Sequence, residues 1–229
     1  MNLSINQPSS SLSYIERQNK EREEKDEKLA SGKRINSAAD DPAGLQISSR
    51  LTSEVNSYQQ QSYNTQDQVN NNNVQEGGLS AIDESLQRAN ELSIQSGNPL
   101  SDASAIQGEL DQLTEQINTI AGEVLGDPNF VSGLDASDPA ATQAALEDAF
   151  TSVNESATSL GAQSNALNSQ VATYETTRVN VSESRSRIQD TDYASTSSEK
   201  DQNSVLLQAA IINKKDGEAR KGLLINQVV

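Results

Sequence analysis

Asp40 and Asp41 stand side by side directly before Pro42, the nearest approach in this sequence to an acid–base pair or a hard-cation site. Their position favours a quieter task. A carboxylate just ahead of a proline accepts the free N–H groups that open a helix, while proline fills the first helical position, where its missing donor costs nothing. Arg178, Arg185 and Arg187 interrupt a long apolar pattern near its end. Two readings stay open for them: a solvated helix end, or salt bridges to an acidic neighbouring subunit. The chain has no cysteine and no histidine, which excludes disulfides, thiolate nucleophiles, zinc sites of the usual kind and Ser-His-Asp catalysis. It also lacks a phosphate-binding glycine loop with its lysine. Sequons at Asn2, Asn154 and Asn180 are close to what chance gives in a chain this rich in Ser and Asn. No cofactor and no enzymatic activity are expected.

The 229 residues carry 17 Lys and Arg against 33 Asp and Glu, a formal charge of −16. Such a chain is repelled by nucleic acid and by anionic membrane surfaces, so neither is expected as a partner. Leu, Ile, Val and Phe number 47 and aromatic residues only seven, too few for a thick globular core. Thin helical layers need less. No apolar run approaches the roughly 18 residues of a membrane span, and the polar start lacks the regions of a secretory signal, so export is expected by another route.

Residues 1–13 read as flexible unless a partner orders them. From Glu16 to Lys28, 11 of 13 residues are charged and none is apolar, while Glu16/Lys20, Glu21/Lys25 and Glu24/Lys28 stand at i,i+4. That predicts a solvated single helix with no apolar stripe by which to dock. After the Ser31-Gly32 break, Asp41-Pro42 opens a helix whose stripe Ile47, Leu51, Val55, Tyr58 weakens at Ser62, Thr65 and Asn72, so its middle is expected to be poorly buried. Leu79, Ile82, Leu86, Ala89 and Leu92 rebuild the stripe up to Gly97-Asn98-Pro99, which predicts a reversal.

Asp102 caps the next helix, where Ile106, Leu110, Leu113, Ile117, Ile120 and Val124 alternate steps of four and three, as in a coiled-coil seam. Residues 126–139 form the main connection, and Asp138-Pro139 opens a further helix. The four-three pattern from Leu146 to Ile188 is apolar at ten of thirteen positions over 43 residues, about 65 Å of helix, which requires antiparallel neighbours. The expected fold is all-α, an elongated antiparallel bundle or coiled coil with helices 42–75, 76–97 and 102–124 folded against 140–188. Beyond it, Val205–Ile212 is strongly apolar, Lys214–Gly222 is charged and glycine-broken, and Leu223–Val229 is apolar again. An apolar end on so acidic a chain is expected to be covered by a partner.

The run Leu29-Ala-Ser-Gly-Lys-Arg-Ile-Asn-Ser-Ala-Ala-Asp-Asp-Pro-Ala-Gly-Leu-Gln-Ile47 closely resembles the N-terminal signature of bacterial flagellins, and Ser184-Arg-Ser-Arg-Ile-Gln-Asp-Thr-Asp-Tyr-Ala194 resembles their C-terminal one. Glu76–Leu79, Leu86–Leu92 and Ile106–Leu110 look like the family's core helices. The resemblance implies a secreted, extracellular filament subunit, a homopolymer exported unfolded by the flagellar type III apparatus, with an export chaperone and a filament cap as partners. It also implies paired N- and C-terminal helices that order on assembly. Residues 1–41 and 189–229 would then form the terminal assembly domain and 42–188 the core bundle, with loop 126–139 in place of the outer variable domain. Arg34, Ile35, Asn36, Asp40 and Asp41 in the first signature, and Arg187, Asp190, Asp192 and Tyr193 in the second, become expected subunit-contact positions. A vertebrate Toll-like receptor is a further implied partner, through Arg88, Leu92 and Glu109 with Gln87 and Glu91 beside them. Leu92 also continues the stripe from Leu79, so core packing competes for it.

The sequence departs from the flagellin pattern where Glu16–Lys28 lacks regular apolar residues, at Asn70–Asn73, and at Lys214–Lys221, each change favouring solubility over packing. A divergent or engineered soluble flagellin that does not polymerise is therefore an alternative, and a hook–filament junction protein is another.

Overall fold

The computed structural model describes residues 8–226, with side chains described from 12 to 219. Leu3, Ile5 and the Asn2 sequon lie outside the described residues. Five helices follow one another: α1 (Pro8–Ser31), α2 (Pro42–Ser96), α3 (Ala103–Val124), α4 (Pro139–Gln189) and α5 (Tyr193–Asn226). Among the described residues the sole extended pairing is an antiparallel bridge between Lys33 and Asp190. The chain divides into two compact units, Met1–Asn56 with Arg178–Val229, and Ser57–Thr177. Their limits fall inside α2 and α4, whereas the expected division at 41/42 and 188/189 falls at helix ends.

Unit Ser57–Thr177 holds the main core. Leu79, Ile82, Leu86, Ala89 and Leu92 of α2 meet Ile106, Leu110, Ile117 and Ala121 of α3 and Leu146, Ala149 and Val153 of α4. Helix–helix approach is close at Gly78, where a side-chain carbon would collide with Val124. Asp102 caps α3 as its sequence requires, its carboxylate accepting from the Ser104 and Ala105 N–H groups at 3.0 and 3.3 Å. Asp138 does the same for α4 through Ala141.

Two expectations for this unit need correction. First, α2 is one helix of 55 residues, not two meeting at 75/76. Second, its middle is buried: Ser62 and Thr65 are 6 % exposed and Asn72 8 %. Ser62, Thr65, Val69, Asn72, Glu76 and Leu79 keep the four-three spacing, so the seam continues in polar side chains. They are satisfied within it, since Thr65 Oγ1 donates to the Gln61 carbonyl at 2.8 Å and Asn72 Nδ2 donates to Ser164 Oγ of α4 at 3.2 Å. Tyr58 and Tyr174 meet further along, with ring centroids 6.2 Å apart.

The connection 126–139 is packed rather than loose. Val131, Leu134 and Ala136 are buried against the core. Side chains on α3 hold its backbone: Asn118 both donates to the Val131 carbonyl and accepts from its N–H, each at 2.8 Å. Gln107 donates to the Leu134 carbonyl at 3.0 Å and accepts from the Ala136 N–H at 2.7 Å. These amides substitute for the ladder partners that an irregular buried segment lacks.

In the other unit α1 pairs with α5. The buried and half-buried positions of α1 follow Ile15, Gln18, Arg22, Lys25 and Leu29, and those of α5 follow Thr196, Lys200, Asn203, Leu207, Ala210 and Lys214. Both are four-three seams, polar at their centres. The expectation of a solvated single helix over Glu16–Lys28 is thus corrected: α1 pairs with α5 along a seam that is polar from Gln18 to Lys25 and apolar at Ile15 and Leu29. Its expected i,i+4 pairs give way to Arg17–Glu21 at 3.8 Å, Lys20–Glu24 at 3.9 Å and two ion pairs to α5. Gly217 does not break α5, which runs on to Asn226.

Candidate functional site

The two signature segments meet at the far end of the α1–α5 pair and form a clasp. Gly32, at φ +70°, ends α1 in the left-handed region that a β-carbon disfavours. Its carbonyl accepts from the Thr191 N–H at 3.0 Å. Arg34 donates twice to the end of α4, its backbone N–H to the Gln189 carbonyl and its guanidinium to the Ile188 carbonyl, both at 2.6 Å. The Tyr193 hydroxyl donates to the Leu29 carbonyl at 2.8 Å. The carbonyls left free at the ends of α1 and α4 therefore find donors from the opposite segment.

Each remaining signature residue has a local task. Ile35, 1 % exposed, packs over Gly44, where a β-carbon would strike both Ile35 and the Asp41 carboxylate. Asp41 caps α2 by accepting from the Gly44 N–H at 2.8 Å. Asp192 caps α5 through the Ala194 and Ser195 N–H groups at 3.0 and 3.1 Å. Asp190 accepts from the Ser186 hydroxyl and Arg187 pairs with Glu183, both at 2.5 Å and within one helix turn. Arg185 reaches across to Thr52 at 3.5 Å. Asn36 donates its side chain to the Lys33 carbonyl at 3.5 Å.

Asp40 closes the turn before α2, accepting from the Ser37 N–H at 2.8 Å and the Asn36 N–H at 3.0 Å. These bonds, Ser37 first, hold its carboxyl below the ordinary value of 3.8. A depressed folded-state value means that the turn gains stability above about 3.8 and loses it as pH falls through the lower folded value. Asp40→Asn is expected to abolish that acid-side dependence, read from the pH titration of the Asn36 and Ser37 amide shifts.

In unit Ser57–Thr177, Arg88 forms an exposed fork. Its Nε and Nη2 donate to Glu109 Oε1 at 2.9 and 2.8 Å, and Nη1 to Glu91 Oε2 at 3.1 Å. Gln87 lies beside it, bonded to Asp83 at 2.7 Å. Leu92 does not join this surface. It is 2 % exposed and belongs to the core, so the stripe explanation accounts for its side chain.

The apolar run Val205–Ile212, for which the sequence predicts a covering partner, divides between two faces of α5. With Asn203 and Leu207 turned toward α1, Val205 (64 % exposed), Leu206 (49 %), Ile211 (48 %) and Ile212 (66 %) face outward. An open groove of about 760 Å³ runs along this helix past Ala194, Ser198, Gln202, Val205 and Leu206. The described residues contain no cluster of acidic side chains able to hold a metal ion, and no helix among them is long and apolar enough to cross a membrane.

The profile of the bacterial flagellin N-terminal helical region matches residues 3–130, and that of the C-terminal helical region matches residues 143–213. The chain belongs to the bacterial flagellin family. Similar proteins include a flagellin of Clostridium tyrobutyricum, 40 % identical over 134 residues, which cover 57 % of this chain and 35 % of that protein. The flagellar filament 41 kDa core protein of Borreliella burgdorferi is 41 % identical over 100 residues, 42 % of this chain and 30 % of that one. Flagellin 1 of Proteus mirabilis is 43 % identical over 98 residues, 42 % and 27 %. The chain thus spans about a third or less of the curated relatives it matches. Both matched regions are mainly helical among the described residues, and the segment separating them, 131–142, covers the later part of the packed connection and the first turn of α4.

Proposed function

We propose that this flagellin is a structural subunit of an extracellular bacterial flagellar filament and performs no catalysis. The observation that carries the reading is the outward apolar stripe of α5, on a helix whose start the clasp ties to the end of α1. Surface of this kind is stabilised only when neighbours cover it, and repeated non-closing contacts between identical subunits generate a helical polymer. Residues 1–41 and 189–229 act in this reading as the assembly domain and 42–188 as the core bundle. Family membership supports export in the unfolded state through the flagellar type III apparatus, with a chaperone and a tip cap as partners. Purified chain, concentrated or salt-precipitated and viewed by negative stain, is expected to give long filaments. Persistent monomers under every condition and with added seeds would mean a soluble, non-polymerising flagellin instead.

The exposed Arg88–Glu109–Glu91 cluster favours a second role, recognition by a vertebrate Toll-like receptor. Arg88 has no packing duty, so Arg88→Ala is expected to leave thermal unfolding unchanged and to lower receptor signalling at least about tenfold, the effect of losing a charge-assisted contact of about 1.4 kcal/mol or more in a complex. Unchanged signalling in a reporter assay removes the assignment.

A further inference from the structure

Flagellin membership does not say how this chain joins two helices that lack matching apolar faces. The contacts between α1 and α5 supply an answer. Lys25 Nζ lies 3.6 Å from Glu199 Oε2 and also donates to the Glu199 carbonyl at 3.4 Å, while Lys200 Nζ lies 2.6 Å from Asp26 Oδ1. Lys-Asp on one helix thus faces Glu-Lys on the other, each residue opposite its own counter-charge. We propose that these four residues form an ionic key that sets the register of the terminal pair and makes the pairing dependent on ionic strength.

Three observations support this. The key is specific for one register: moving α5 by one turn in either direction brings Asn203 and Ser204, or Ser195 and Thr196, to face Lys25 and Asp26, and both ion pairs disappear. The centre of the seam beside the key is polar, and its apolar residues Ile15, Leu29, Leu207 and Ala210 lie to either side. Gln18 and Asn203, 6 % and 4 % exposed, keep Gln18 Oε1 and Asn203 Nδ2 buried without hydrogen-bond partners. Buried polar atoms of that kind weaken a pairing that an aliphatic seam would hold in any salt, and they leave the charged layer decisive. The distribution of charge fixes the sign of the salt effect. α1 carries five cations and six anions and α5 five cations and four anions, so the chain's −16 resides outside these two helices. Salt therefore relieves no large repulsion between α1 and α5, and what it screens is their attraction. The apolar stripe of α5 points away from the key and is not weakened by salt.

The full chain has no cysteine, so Leu12→Cys with Gln208→Cys gives two unique spin-label sites, both exposed and away from the key. Inter-label distances measured on dilute monomer are expected to show one short population at about 20 mM NaCl, falling at least about threefold by about 1 M, where the screening length shrinks to about 3 Å. Lys200→Asp is expected to lose that population at low salt, and Asp26→Lys with Lys200→Asp to restore it. Gln18→Leu with Asn203→Leu is expected to keep it at high salt. No short population at about 20 mM NaCl, or one indifferent to salt and to Lys200→Asp, overturns the proposal, as does a swap that restores nothing while circular dichroism shows unaltered helix content. Because the measurement is made on monomers, its failure is distinct from a failure to form filaments.

Discussion

Aspartate at both Val205 and Ile212 is expected to abolish filament growth while shifting the stability of the isolated chain by no more than about 0.5 kcal/mol. Both side chains are about two-thirds exposed in the single molecule, so little native packing is lost when they change. In a filament the same positions would be covered, and each buried aliphatic side chain contributes about 1.5–3 kcal/mol relative to its exposed state. Two such losses, at about 1.4 kcal/mol per decade, raise the critical concentration at least about a hundredfold, before the cost of desolvating two carboxylates is added. Sedimentation after seeding measures the critical concentration, and thermal unfolding of the same samples measures stability. Filaments growing at an unchanged concentration would show that the stripe is not the assembly surface.

Leu86→Ala is expected to do the opposite, lowering stability by about 2–5 kcal/mol and the unfolding temperature by roughly 10 °C, with any assembly defect following from unfolding. Leu86 is fully buried at the centre of the α2–α3–α4 core, among neighbours such as Leu110 and Leu146 that are themselves without exposure to spare. A cavity there cannot collapse easily, since the connection packed on this core is itself fixed to α3 by Asn118 and Gln107. Leu86→Met, which roughly conserves volume, is expected to cost less than about 1.5 kcal/mol. Chemical denaturation of the two variants side by side checks both the magnitude and the cavity explanation; equal costs would point to side-chain shape rather than lost volume.

The contrast between these two substitutions follows the division of labour in the chain. Core leucines on α2 and α3 keep their apolar faces for their own molecule. α5 spends a polar seam on α1 and keeps its apolar face for something else. The clasp makes that arrangement durable, because the Gly32, Leu29, Ile188 and Gln189 carbonyls that would otherwise fray both helix ends are each bonded to the opposite signature segment.

Local signals sufficed for the beginnings and ends of most helices. Asp41-Pro42, Asp102 and Asp138-Pro139 start helices, and Gly97-Asn98-Pro99 ends one, because capping and φ restriction act within three or four residues. The all-α class and the apolar seams of α3 and α4 were legible for the same reason, since a repeating four-three spacing of aliphatic residues reports one sticky face per helix. Tertiary structure alone decided where that signal falls silent. Ser62, Thr65 and Asn72 are as polar as a solvent-facing turn of helix, yet all three are buried, and Asn72 bonds to Ser164 on α4. Gln18 and Asn203 are buried only because α1 and α5 pair along their length. Arg34 and Ile188 meet across 154 residues of chain. A polar side chain takes its environment from its partner, and hydropathy along one helix carries no record of which partner that is.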